Sequence, residues 1–461
     1  MKMTAYEVAS WVKGVLESGR DDMAIEGISI DSRTLEPGSL FIAIVGPNHD
    51  GHRFVNQAID RGAAGVMVSS PVHLKHPAVE IRVTDTTRAL QELAAAVRKR
   101  ASLKVVAITG SMGKTTTKEA VAAALSARYR VLKSEKNLNN QYGVPLSILK
   151  HRDEDIAVLE LGMSAPGEIA RLTEISEPDV AVLTNVAEVH REFFPSLEAI
   201  ASAKGEIFEG MKEGSIAVVN GDDPLVEGEA RRFSGQKVRF GFGESADLRA
   251  TKLAPGEEGV RFVAQYRSEE VPVEAHLSGK HNVYNLLAAL AVAAILGVPL
   301  AVAAAKLSIL GPPPHRGERI RLRNEVQIID ETYNSNPTAL ASVLDSLHDE
   351  KAVRRIAVLG DMLELGERAE QLHLESGRKA AAAEVDLLIG VGPLSRHIIE
   401  GAREAGMPEE AMAAVQDAVE AGERVAARVE AGDLILFKAS RGVGLDRAID
   451  IVRERLGEES A

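Results

Sequence analysis

The stretch VVAITGSMGKTTTK, Val105 to Lys118, constrains this chain more than any other. A β-branched apolar run ends in Thr109-Gly110-Ser111-Met112-Gly113-Lys114-Thr115-Thr116, and an alanine-rich helical pattern, EAVAAALSARY, follows at once. Strand, glycine loop and helix in that order make a phosphate cradle, because glycines let successive backbone N–H groups turn toward an anion at a helix start. Lys114 reaches the outer phosphates as a point charge, and the Thr115 hydroxyl suits Mg2+. Gly110 and Gly113 enclose two residues where the general P-loop has four, so the loop is a shortened variant. A plain strand-to-helix turn with a surface lysine is the alternative; an ATP site is the expectation.

At 461 residues the chain is too long for one core, and about three domains are expected. A net charge of -13 argues against a nucleic-acid surface, which needs clustered Lys and Arg. An anionic substrate must then be held locally. The absence of cysteine excludes disulfides and thiolate metal sites, leaving oxygen and nitrogen ligands and fitting a reducing compartment. The N-terminal MKMTAYEVASWVKGVL lacks the continuous apolar core of a signal peptide, so a cytoplasmic protein is expected. Leu286 to Ala305 has no charged residue over a bilayer-compatible length, yet Gly297 and Pro299 break it. A buried helix pair rather than a membrane span is the expectation.

Residues 1–84 show a short α/β pattern with a strand near Ile28-Ser29-Ile30, a turn at Asp31-Ser32-Arg33 and a second strand from Ser39 to Ile44. Asp31 and Arg33 could simply pair with each other. From 85 to 314, apolar runs at 105–109, 156–161, 180–186 and 216–220 alternate with helical patterns, the mark of a parallel sheet covered on both faces. Glu160 ends one such run, placed either to hold Mg2+ opposite the glycine loop or to pair with an arginine. Thr184 and Asn185 end another, and His190 follows in a loop, as a ligand or as a solvated side chain.

In the helical pattern Leu197 to Met211, Lys204 falls on the stripe of Ile200, Ile207, Phe208 and Met211. Burial favours the neutral amine, the form that reacts with carbon dioxide to give a carbamate, an oxygen ligand; a snorkelling lysine is the alternative. Asn282 and Asn285 share one face of a helix start, where capping alone would explain Asn282. Gly311-Pro312-Pro313-Pro314 is a stiff linker, so a boundary belongs there. Residues 315–461 repeat strand and helix as a second doubly wound unit, with strands ending at Asp330, Asp361 and Lys438-Ala439-Ser440-Arg441.

These pieces resemble the Mur ligase family over nearly the whole chain, through TGSMGKTTTKE (109–119), NLNNQYGVPLS (137–147), LELGMSAPGEI (159–169), TNVAEVHREFF (184–194), AKGEIF (203–208), GKHNVYN (279–285), HRGER (315–319), DETYNSNP (330–337), GDMLELG (360–366) and FKASRGVGLD (437–446). The resemblance implies an α/β chain of three domains: a small N-terminal α/β domain (1–84) for a UDP-sugar peptide, a central P-loop ATPase-like parallel-sheet domain (85–314), and a C-terminal Rossmann-like domain (315–461) that binds the incoming dipeptide and closes on ATP. It implies an ATP-dependent ligase adding D-alanyl-D-alanine to UDP-MurNAc-tripeptide. A relative adding another amino acid, or an ATP-driven switch, is the alternative.

Carried onto this sequence, the family's pattern puts the loop residues Thr109, Gly110, Ser111, Met112, Gly113, Lys114, Thr115 and Thr116 on the phosphates. Thr115 and Glu160 would serve one Mg2+, and His190 with carbamylated Lys204 a second. Asn282 and Asn285 would meet adenine, while Arg316 and Asp330 reach ATP from across the boundary. Lys114, Glu160, His190, Lys204 and Arg316 form the implied catalytic set. Asp31, Ser32 and Arg33 would contact the UDP-sugar peptide. Asn139, Asn140 and Thr184 are further implied substrate contacts, and Asn334, Asn336 and Ser440 would meet the dipeptide. A monomer without nucleic acid or membrane partners is expected.

Overall fold

The computed structural model describes residues 2–189, 192–255 and 259–457. The first of three large sheets runs in the order Val15–Ser18, Val79–Arg82, Gly65–Val68, Ser39–Ile42, Gly27–Ser29, and is parallel except between the first two strands. A short antiparallel ladder, Met3–Thr4 on Ala24–Ile25, lies beside it. Helix Ala5–Trp11 begins at a capping box: the Thr4 hydroxyl accepts from the Glu7 N–H, and the Glu7 carboxylate accepts from the Thr4 N–H.

Helix Thr86–Arg100 leads into the second sheet, and the Asp85 carboxylate caps it by accepting from the N–H groups of Thr87 and Arg88. Its buried face (Leu90, Leu93, Ala94, Val97) belongs to one apolar core with Ile81 of the first sheet and Val105 and Ala107 of the second. The first two units therefore share their interior. Arg98 reinforces that junction, donating to the carbonyls of Ser176 and Glu177 and to the Asp179 carboxylate at 2.8 to 2.9 Å.

The second sheet centres on strand Lys104–Thr109, with Ile156–Glu160 on one side and Val180–Leu183 on the other. Parallel pairing continues from Val131–Lys133 at one edge through Ile216–Asn220 and Gln236–Gly241 to Leu248–Pro255. Parallel register brings Thr109, Glu160 and Leu183 out at the same sheet edge, since Ile108 pairs with Glu160 and Thr109 with Leu183. Beyond Leu248 the sheet turns antiparallel through Val260–Tyr266 and Glu269–Ala275. That ribbon is an addition to the parallel sheet read from the sequence. Its alternation, as in EEVPVEA with every second residue buried, is a period-2 signal of a one-faced strand.

Helices Lys114–Leu125, Lys280–Ile295 and Leu300–Leu307 pack on the sheet's other face. The apolar stretch from Leu286 is a pair of buried helices, broken where Gly297 takes φ +76° and Pro299 caps the next helix. No helix among the described residues is long and apolar enough to cross a membrane. The helix expected from Leu197 to Met211 stops at Gly205 and tightens into a 3-10 turn, Glu206–Phe208.

After the proline linker, the third sheet runs Glu318–Arg321, Gln327–Glu331, Asp433–Lys438, Arg354–Gly360, Leu387–Val391, Met412–Val415. All but the first strand are parallel, and separate apolar clusters cover its two faces. Register sets Glu331 opposite Lys438.

Arg98→Ala should destabilise the protein by about 2 kcal/mol or more, because it strands two carbonyls and part of a carboxylate at the shared core. Differential scanning calorimetry should show the transition of the first two units moving down while that of the third unit stays in place.

Candidate active site

The glycine loop is shaped by what crowds it. Gly110 (φ +149°) and Gly113 (φ +78°) use backbone that side chains rarely adopt. A Cβ on Gly110 would stand 1.9 Å from Thr184 Oγ1, and one on Gly113 would stand 2.3 Å from Asn285 Oδ1. Thr184 donates to the Met112 carbonyl at 2.8 Å. Asn185 brackets the same residue, accepting from its N–H at 2.9 Å and donating to its carbonyl at 3.0 Å. Helix Lys114–Leu125 starts at Gly113 with no side-chain cap, so its first N–H groups face the open loop and favour an anion.

Two lysines converge behind this loop. Lys114 donates to the carbonyls of Gly110 at 2.8 Å and Ser111 at 3.2 Å. Lys204, 2 % exposed, donates to the same Gly110 carbonyl at 3.0 Å. Burial, and then the Lys114 charge, push the Lys204 pKa well below its ordinary value. Part of Lys114 touches the cleft, yet protein surrounds its ammonium; that desolvation lowers its pKa, with Glu160 opposing and Arg316 adding to the effect. Glu160 is held at both oxygens, by the Thr115 hydroxyl and the Asn139 amide, each at 2.9 Å. It pairs with no arginine among the described residues.

A cleft of about 510 Å³ opens in front of these groups, between the second and third sheets. From the second unit, Ser111 to Thr116, Asn139, Asn140, Glu160 and Lys204 line it, and Asn282 and Asn285 form part of its floor. From the third come Arg316, Asn334 and Asn336. The Arg316 guanidinium stacks 3.8 Å above the Tyr333 ring, and Asn336 also caps helix Pro337–Asp349.

Other expected site residues do not line the cleft. Thr109 donates to the Leu161 carbonyl and Thr184 supports the loop from behind; Gly110 contributes the carbonyl that the lysines share. Asp330 turns inward, accepting from His315 at 2.8 Å and from the Thr332 hydroxyl at 2.7 Å; its neighbour Glu331 faces the cleft instead. Ser440 accepts from the Leu363 N–H behind the cleft wall. His190 lies outside the described residues. Asn282 is not the helix cap: Gly279 is, and the Asn282 amide donates to the Ser278 carbonyl while its oxygen accepts from Asn285. Asn285 in turn accepts from Thr117, so the pair braces the loop helix.

Asp31, Ser32 and Arg33 also lie apart from the cleft. Asp31 and Arg33 form the pair considered from sequence, at 2.8 Å, and Ser32 donates to Gln57. The Arg33 hydrogen bonds draw the Asp31 pKa down to about 2.

The cleft also holds residues without an assigned contact in the sequence reading: Asn185, Gln141, His281, Glu331, Tyr333 and Lys438. Lys438, 2 % exposed, donates to Glu331 and to the Asn334 carbonyl, both at 3.1 Å. Its place at the end of a buried strand was the available signal; its partner, 107 residues away in sequence, becomes visible only through the strand register.

Comparison with known proteins covers nearly the whole length. The model described as Mur ligase family, catalytic domain, matches residues 24–138, the Mur ligase middle domain matches 108–293, and the Mur ligase, glutamate ligase domain, matches 315–441. The UDP-N-acetylmuramoyl-tripeptide--D-alanyl-D-alanine ligase of Bacillus subtilis is 37% identical, over 99% of this chain and 100% of that protein. The crystal structure of MurF from Acinetobacter baumannii superposes with a TM-score of 0.90 at 30% identity, covering 98% of this chain and 99% of that one. That of MurF ligase from Thermotoga maritima in complex with ADP gives 0.83 at 31% identity, covering 93% and 97%.

Since the folded-state pKa of Asp31 is depressed, its stabilising contribution is present above the ordinary carboxylate range and lost as pH falls toward 2. An NMR titration should place its midpoint near 2, and Arg33→Ala should raise it toward the ordinary carboxylate value without reaching it, because the residue-33 N–H still donates to Asp31.

Proposed function

The chain belongs to the Mur ligase family, and we propose that it is an ATP-dependent ligase joining D-alanyl-D-alanine to UDP-N-acetylmuramoyl-tripeptide in cytoplasmic peptidoglycan precursor synthesis. The observation that carries this reading is one cleft lined by Lys114, Glu160, Lys204 and Arg316, two amines, a guanidinium and a carboxylate gathered at a phosphate loop. Residues 1–84 would hold the UDP-sugar peptide, 85–314 the ATP, and 315–461 the dipeptide.

The terminal carboxylate of the tripeptide attacks the γ-phosphorus of ATP, ADP leaves, and an acyl phosphate forms. The dipeptide amine, having given up a proton, attacks the acyl carbon; the tetrahedral intermediate collapses with loss of phosphate, leaving the amide. The substrate carboxylate is the nucleophile, so the protein's task is positioning and charge neutralisation. Backbone N–H groups at the start of helix Lys114–Leu125 cradle the phosphates. Lys114, folded back on Gly110 and Ser111, exchanges those carbonyls for phosphate oxygens. Arg316 approaches from the opposite wall, and walls on both sides keep water from the acyl phosphate.

Thr115 and Glu160 fit Mg2+: a hydroxyl and a carboxylate oxygen lie 2.9 Å apart at the site where phosphates would sit. Two protein oxygens suffice for an ion that keeps waters and takes substrate phosphates as ligands. Bound there, Mg2+ would supply charge neutralisation to the nucleotide phosphates. His190 and Lys204 would serve a second Mg2+. The lowered Lys204 pKa supports a carbamate: the neutral amine adds to carbon dioxide and releases one proton, so that a neutral group beside Gly110 becomes an anion.

Glu331 is better disposed than Asp330 to meet a nucleotide, because its carboxylate lines the cleft beside Asn282 and Arg316. For Asn282 or Asn285 to bind adenine, one of their mutual or backbone hydrogen bonds must be exchanged.

Mass spectrometry of the product from UDP-tripeptide, ATP and D-Ala-D-Ala should show the dipeptide added less one water. Phosphate release should require both co-substrates; equal release without them would contradict ligation. Lys114→Ala should lower turnover by about 10³-fold, measured as ADP production. Lys204→Ala should lose most activity and regain part of it with added short carboxylic acids, whose carboxylate occupies the carbamate's place.

A further inference from the structure

The helix that leaves the glycine loop carries a second, deeper lysine. Lys118 lies one turn beyond Lys114 and is 2 % exposed, away from the cleft wall. Its Nζ donates to the Ser134 carbonyl at 2.7 Å and stands 3.1 Å from Glu119 Oε1. Glu119 is shared with Lys133 on the edge strand. A buried ammonium is a costly way to fill space that methionine would occupy, and this one spends its strongest contact on a single carbonyl.

What that carbonyl belongs to gives the contact its meaning. Ser134 follows the edge strand Val131–Lys133 and is itself buried. Its N–H donates to the Val158 carbonyl at 3.0 Å, and its hydroxyl accepts from the Glu160 N–H at 3.2 Å. Glu160 is thus fixed at three points: its N–H by Ser134, one carboxylate oxygen by Thr115 and the other by Asn139. The loop helix grips the same strand end twice, directly through Thr115 and indirectly through Lys118 three residues later.

We propose that Lys118 is a positioning residue for Glu160: acting through Ser134, it fixes the carboxylate against the Thr115 hydroxyl and thereby sets the affinity of the Mg2+ site. The inference rests on the reading that Thr115 and Glu160 hold Mg2+. Groups that orient a ligand in this way change metal affinity by about 10- to 100-fold when removed.

The test uses Mn2+ as a probe, titrated by electron paramagnetic resonance into the full-length protein with ADP present. Lys118→Met and Ser134→Ala should each weaken Mn2+ binding by about tenfold, with ADP affinity in the absence of metal unchanged, and Lys118→Arg should recover part of the loss. Wild-type Mn2+ affinity in folded Lys118→Met, with Glu160→Gln weakened, overturns the inference alone. Should Lys118→Met fail to fold, Ser134→Ala decides in the same way, since it keeps the ammonium–carbonyl bond. Unchanged affinity in Glu160→Gln overturns the metal reading, and this inference with it.

Discussion

The Gly110 carbonyl accepts from two lysines at once, Lys114 at 2.8 Å and Lys204 at 3.0 Å, and among the described residues neither ammonium has a carboxylate within ion-pair distance. Burial, and for Lys204 the neighbouring Lys114 charge, lower the pKa of both amines, and a single neutral acceptor does little to keep both protonated. The loop therefore rests in an arrangement that added negative charge improves. A phosphate drawing Lys114 outward relieves the crowding, and so does a negative charge placed on Lys204. Glu160 opposes this crowding and Arg316 on the facing wall adds to it, so the charge around Lys114 is set by residues from both walls of the cleft.

That crowding exists because of how the second sheet is strung. A parallel strand flanked by two parallel neighbours sends three chain crossings out of one edge, and each carries a different tool: the glycine loop after Thr109, the carboxylate at Glu160, the threonine and asparagine at 184 and 185. Ligands dock at such edges because the loops there are free to carry polar groups while the strands beneath stay rigid. The third sheet offers its own edge to the same space, where Glu331 and Lys438 are held as neighbours by register.

Features confined to a short window were legible in the sequence. The glycine loop, the buried stripe under Lys204 and the break at Gly297 and Pro299 each declare themselves within one or two helical turns, and the fold keeps them. Features that depend on distant pairing were not. Asp330 and Glu331 are adjacent acids in one strand, and period 2 sends one inward to His315 and the other to the cleft; which goes where is settled by the partner strands. Strand Val15–Ser18 is largely exposed, so it lacks the apolar run that would mark it. Asn282 looks like a cap in sequence because asparagine favours that position, but the helix starts three residues earlier and a glycine holds the cap.

The linker Gly311 to Pro314 has a geometric corollary. Three consecutive prolines fix φ near −65°, so the linker keeps only its ψ angles free, and just after it His315 (φ +62°) and Gly317 (φ +85°) turn the chain through left-handed backbone. Arg316 stands between those two. The Tyr333 N–H donates to the His315 carbonyl and the Gly317 N–H to the Asp330 carbonyl, while the guanidinium lies on the Tyr333 ring, so Arg316 is bound into the third unit and faces the phosphate loop on the same rigid wall as Glu331 and Lys438.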